Sequence, residues 1–193
     1  SHGHLDHCWI ELARAMLDRG KPVIVPEGIR IRGRSLPWGC RGVANGAEFW
    51  WEGMHLAFTV CPHVYDGGRA IPVLTTRLWD GQRVYLHTSD SDTTFHEGFR
   101  WYDRYPIDVL LFKLGGVSPY LDEYEELVRA VARVAPRQLI LPIHLAELAH
   151  RGCEAAMPYS RAYQLMMRYN HEGRLGARRY GVLFGNRAVR HAA

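Results

Sequence analysis

The stretch Ser1-His2-Gly3-His4-Leu5-Asp6-His7 places three histidines and an aspartate within seven positions. Imidazole nitrogens and carboxylate oxygens are the donors that hold Zn²⁺, and the same set also suits Fe or Mn. At the end of an extended strand alternate residues project the same way, so His2 and His4 can converge on one ion. The turn that follows can bring Asp6 and His7 onto a second position. The Leu5-Asp6 pair leads straight into a helix, which separates this run from an expression tag. Asp6 can cap that helix and still bind metal.

Working outward, Ile10, Leu12, Ala13, Met16 and Leu17 recur at helical spacing until Gly20, a candidate C-terminal cap. Val23 to Val25 reads as a short buried strand stopped by Pro26, and Ile29 to Asn45 as an irregular loop rich in Gly, Arg and Pro. Glu48 to Trp51 and His55 to Val60 read as strands around Glu52-Gly53. Ile71 to Trp79 and Gln82 to His87 flank Asp80-Gly81, a type I′ hairpin signal. Ile107 to Phe112 is a buried strand ending in Gly115-Gly116. Ser118 and Pro119 then open a helix whose stripe runs from Leu121 through Tyr124, Leu127, Val128 and Val131 to Val134. Leu139 to Ile143 is a further buried strand leading into His144. A helix over 160–169 and a strand from Tyr180 to Phe184 complete the chain. Hairpins mixed with β-α-β connections imply a layered α/β architecture.

Length and composition agree with one enzyme-sized domain over residues 1–193, with 47% hydrophobic and 23% charged residues. The net charge of +4 is carried by arginine, since Lys21 and Lys113 are the only lysines. No apolar run approaches the ~20 residues of a membrane-spanning helix. Cys8, Cys40, Cys61 and Cys153 are scattered, which fits reduced thiols and a cytoplasmic location. A ligand run at position 1 has no strand before it, so the reading expects the N-terminal part of a sheet to be missing.

His-x-His-x-Asp-His is the hallmark of the metallo-β-lactamase superfamily, and His2, His4, Asp6 and His7 fill it. The resemblance extends along the chain. Phe58-Thr59-Val60-Cys61-Pro62-His63 is similar to the strand that leads to the family's next histidine, with His63 the matching ligand and His55 the weaker candidate. Thr88-Ser89-Asp90-Ser91-Asp92-Thr93 resembles the segment of the bridging aspartate, in a register that favours Asp90 over Asp92. Leu141-Pro142-Ile143-His144 looks like the last motif. The Pro-Ile-His ending and Gly115-Gly116 look most like the branch of ascorbate-phosphate lactonases and N-acyl phosphatidylethanolamine phospholipase D. The chain departs from that branch in having Leu145-Ala146-Glu147 after His144, and no glycine before the aspartate.

The resemblance implies a four-layered αββα sandwich with mixed sheets, N-terminally incomplete. It also implies a zinc centre, two ions per chain, with Fe or Mn as alternatives. In that pattern His2, His4 and His63 hold one ion, Asp6, His7 and His144 the other, and Asp90 bridges them. A hydroxide shared by the ions would attack a small ester, lactone, amide or phosphoester, with Asp6 and Asp90 as the catalytic carboxylates. Two other readings stand beside this one. A phosphodiesterase or nuclease on the same scaffold would use Arg174, Arg178, Arg179, Arg187 and Arg190, which read first as a solvated surface. A non-catalytic metal-binding subunit would keep the fold alone. Phe49, Trp50 and Trp51 read as core and rim packing, Cys61 as a buried thiol, and His96 as a candidate substrate contact. The small-molecule substrate and the oligomeric state are left open by the sequence.

Overall fold

The computed structural model describes residues 10–29, 36–64, 70–90, 105–113, 131, 133–143, 168, 171–172, 179–184 and 187–192. Helix α1 spans Ile10–Asp18 and buries Ala13. It ends as the glycine signal implies. Gly20 takes φ +69°, its amide donates to the Leu17 carbonyl, and the Lys21 amide reaches back to Met16. This is the paired closure that satisfies the last orphan carbonyls of a helix.

Strand β1 (Ile24–Pro26) pairs in parallel with β2 (Arg41–Val43) to form a small sheet. The expected loop from Ile29 to Asn45 therefore contains a strand. Three residues paired to a partner far away in sequence carry no local periodicity, which is why the pattern did not reveal it.

Eight strands form the main sheet, in spatial order β10-β9-β8-β7-β6-β5-β4-β3. Strands β3 (Glu48–Trp51), β4 (Met54–Val64), β5 (Ala70–Trp79) and β6 (Val84–His87) are an antiparallel meander. Strands β7 (Val109–Lys113), β8 (Leu139–Ile143) and β9 (Arg179–Phe184) then add in parallel to β6, and β10 (Arg187–Ala192) closes the sheet antiparallel. The last strand was not expected. Of the two later expected helices, residues 131, 133 and 134 of the first are helical with Val131 and Val134 buried, and residue 168 of the second is helical, as is residue 171 past its expected end; the rest lies outside the described residues.

The two hairpin turns exchange the roles expected of them. Trp51 pairs Met54 across Glu52 and Gly53, both at positive φ (46° and 79°), as a two-residue primed turn requires. Trp79 instead pairs Val84, leaving a four-residue loop over 80–83. There Asp80 Oδ1 accepts the amides of Gln82 and Arg83 at 2.9 and 2.7 Å, a carboxylate turn that competes with the tight hairpin. Those amides, Arg83 foremost, hold the Asp80 carboxyl below its usual range.

From β4 to β8 the main sheet has buried residues on both faces. Val43, Leu56, Phe58 and Leu74 form a core, joined by Ile24, Phe49, Trp51, Val60 and Leu78, so β1 and β2 pack on the even-numbered face of β4. In the next row the register aligns Ala57, Arg77, Leu86, Leu110 and Ile140 across five strands, all buried. A fully buried side chain of Phe58's size contributes about 2 to 3 kcal/mol. A parallel sheet covered on both faces explains the near-continuous apolar runs of β7 and β8.

Asp108 locks the end of this sheet where β6, β7 and β8 begin. Its Oδ2 accepts the Val84 amide at 2.8 Å, and its Oδ1 accepts from Arg137 at 2.7 Å and from the Gln138 side chain at 3.3 Å. Its own amide donates to the Val84 carbonyl, and its carbonyl accepts the amides of Gln138 and Leu139. One buried residue thus ties the starts of three strands together.

Candidate metal centre

Strands β4, β6, β7 and β8 all run the same way, because β5 is antiparallel to both of its neighbours and the later pairings are parallel. Their carboxyl ends therefore share one edge of the sheet, opposite Asp108. Ligand sites in open α/β sheets collect at that edge. On it lie His63 near the end of β4, the turn over 88–90 after β6, Lys113 at the end of β7, and Ile143, from which the chain passes to His144.

The turn after β6 is held from three directions. The Thr88 amide donates to the Leu111 carbonyl at 2.9 Å, its hydroxyl accepts the Lys113 amide at 2.9 Å, and its carbonyl accepts the Thr75 hydroxyl at 3.3 Å. Ser89 then takes φ +55°, and its amide donates to His87 Nδ1 at 2.9 Å. Desolvation lowers the His87 pKa below its ordinary value although the residue lies at the surface, which favours the neutral ring whose Nδ1 accepts that amide. The left-handed conformation costs a non-glycine residue roughly 1 to 2 kcal/mol. Ser89 stands where the resembling motif most often has glycine, and it takes the backbone conformation glycine adopts without that cost.

This turn delivers Asp90, which is 2% exposed. Its Oδ1 lies 2.9 Å from Nζ of Lys113, itself only 4% exposed. The sequence reading missed Lys113. The available signal was a lysine closing an apolar strand in a chain that otherwise uses arginine at almost every basic position.

His2, His4, Asp6, His7, Asp92, His96 and His144 lie outside the described residues. For His63 the backbone is placed, opposite Ile71. Among the described residues no group of three or more His, Cys, Asp or Glu side chains comes together. His55 sits eight residues before His63, about 26 Å away at a strand's rise, at the other end of β4. There it meets Glu48 at 3.3 Å and the Trp50 ring at 5.2 Å. Trp50 also meets Trp79 edge-on at 5.4 Å, which is rim packing far from the carboxyl edge. Cys61 is buried, its Sγ lies 3.6 Å from the Thr75 hydroxyl oxygen, and burial raises the thiol pKa. A thiol held protonated is a poor metal ligand.

No family model matches the chain, and no curated protein sequence does. Solved structures do match. Igni18, a metallo hydrolase from the hyperthermophilic archaeon Ignicoccus hospitalis, aligns over 100% of this chain and 77% of its own, with a TM-score of 0.63 at 16% identity. CmlA, a diiron β-hydroxylase from Streptomyces venezuelae, reaches a TM-score of 0.67 at 13% identity over 99% of this chain, which spans 44% of CmlA. The metallo-β-lactamase fold protein YhfI from Bacillus subtilis gives 0.59 at 13% identity, over 99% of this chain and 75% of its own. At such identities the likeness is one of fold, and the fold is that of the metallo-β-lactamases. Among the described residues no helix is long and apolar enough to cross a membrane.

Proposed function

We propose that this chain is a metal-dependent hydrolase of small esters, lactones, amides or phosphoesters. It works through one or two divalent ions, zinc in the first place, held by His2, His4, Asp6, His7, His63, Asp90 and His144. The observation that supports this most is the buried Asp90 at the carboxyl end of β6, on the sheet edge shared by the His63 end of β4 and by the exit of β8 toward His144. The reading is supported by the shared edge of the carboxyl ends of β4, β6 and β8.

The placed residues fit a metal. A buried carboxylate at this edge is an oxygen donor of the kind that divalent ions take, beside the one cationic partner that Lys113 already supplies. When bound, the ion supplies Lewis acidity and lowers the pKa of a coordinated water toward ~7. The chain does the rest. The turn over 88–90 fixes the Asp90 carboxylate before any ligand arrives, which limits reorganisation during turnover. Asp6 orients the attacking water or accepts its proton.

The test pairs elemental analysis of the purified protein with an ester, lactone, amide and phosphodiester panel. Bound zinc together with turnover, both lost in His63→Ala and Asp90→Ala, is the expected result. Turnover at the wild-type rate in Asp90→Ala would sink the assignment. Metal-replete protein inactive across the panel would instead favour a binding subunit. A nuclease reading draws on Arg179, Arg187 and Arg190, which fall on the terminal β9–β10 hairpin. Nucleic-acid binding that weakens steeply with salt would support it, and no binding at low salt would exclude it.

A further inference from the structure

We infer that Lys113 supplies a fixed positive charge at Asp90 in place of part of the charge of a second metal ion, so that the centre holds one ion tightly and a second only weakly. This rests on the metal-hydrolase reading and narrows it. The pair is a 2.9 Å contact between groups 4% and 2% exposed, too deep for water to screen the lysine from its surroundings. An aspartate shared by two dications has its charge compensated by them alone. Here an ammonium already engages Oδ1, and it sits within a few ångströms of any ion that Asp90 binds.

Two consequences follow from charge. Asp90 is compensated before a second ion arrives, so it attracts that ion less. The ammonium also repels a dication bound beside it, and like charges in a buried site are strongly unfavourable. The lysine is not placed there by chance packing. Its amide donates to the Thr88 hydroxyl at 2.9 Å, which ties the end of β7 to the turn that carries Asp90. The chain has only one other lysine, Lys21, so this buried position carries a compact ammonium in a chain whose usual cation is arginine.

The experiment is equilibrium dialysis of the full chain against buffered free zinc, with bound metal counted by elemental analysis. Wild-type protein is expected to plateau at one zinc per chain, with the second site weaker by roughly tenfold to a hundredfold. Lys113→Met is expected to erase that gap and bind two, while Lys113→Arg, which keeps the charge, retains it. Lys113→Gln replaces the methionine variant if that one fails to fold. Two equally tight ions in the wild type overturn the inference and leave the hydrolase reading intact. One tight ion in the methionine or glutamine variant overturns the role of Lys113. No bound zinc in folded wild type overturns the metal-site reading and the inference with it.

Discussion

The two ends of the main sheet each hold a buried aspartate beside a cation, and they solve the problem of buried charge in opposite ways. Asp108, 3% exposed, is satisfied largely by a backbone amide and a side-chain amide, and its cation Arg137 is 57% exposed in its side chain. Asp90 faces Lys113 with both partners buried, and it is presented by a serine in left-handed conformation. The first arrangement ties strands together with little desolvated charge. The second desolvates a cation and strains the backbone, both of which cost stability. Costs of that kind gather where geometry matters for function, so the contrast supports the proposal that one end of the sheet is scaffold and the other site.

Removing each carboxylate tests that contrast most severely. Asp90→Ala should lower turnover at least a hundredfold, an order-of-magnitude figure taken from losses at groups supporting metal sites. Asp108→Ala should keep the turnover of whatever fraction is folded. Equal losses per folded molecule would erase the distinction.

Stability should show the reverse at Asp108. Asp108→Ala removes charged hydrogen bonds to Val84 and Gln138 and is expected to cost about 3 kcal/mol in denaturant unfolding. Arg137→Ala should cost under about 1 kcal/mol, because its guanidinium is largely in water. A large loss in the arginine variant would show that the ion pair, and not the amide network, carries the lock.

A smaller effect of opposite sign is expected at the turn. Ser89→Gly should stabilise the protein by about 1 kcal/mol by removing the left-handed strain, read as a higher midpoint of unfolding. A lower midpoint would mean that the serine side chain contributes more than its backbone costs.

The smallest effect is in pH. The folded pKa of His87 lies below its ordinary 6.5, so its contribution to stability is present above that value and is lost as pH falls below it. The slope of stability against pH between about 7.5 and 5 should therefore flatten in His87→Ala. An unchanged slope would remove His87 from the support of the turn.

Much of the fold was legible because it is written in local patterns. The alternation in β3 to β5, the apolar runs of β7 and β8 and the glycine cap of α1 each reflect a period or a backbone preference visible within a few residues. Strand β2 and the exchange of turn types were not, because each depends on a partner: β1 for the strand, and the Gln82 and Arg83 amides for the Asp80 loop. The candidate site divides the same way. Asp90 could be named from the resemblance of its segment. Lys113 could not, since a lysine closing an apolar strand gives no hint of where its amine lies.

The sequence by itself supplied the proposed donor set, through the run His2-Gly3-His4-Leu5-Asp6-His7 and the later His63, Asp90 and His144, together with the alternation that selects a layered α/β fold. Only the tertiary structure decided that β4, β6, β7 and β8 end at one edge, that Asp108 locks the other, and that Lys113 meets Asp90 in the interior. The physical reason is range. Residue type and period are local properties of a chain, whereas the field at a buried carboxylate depends on which distant side chain the packing brings to it.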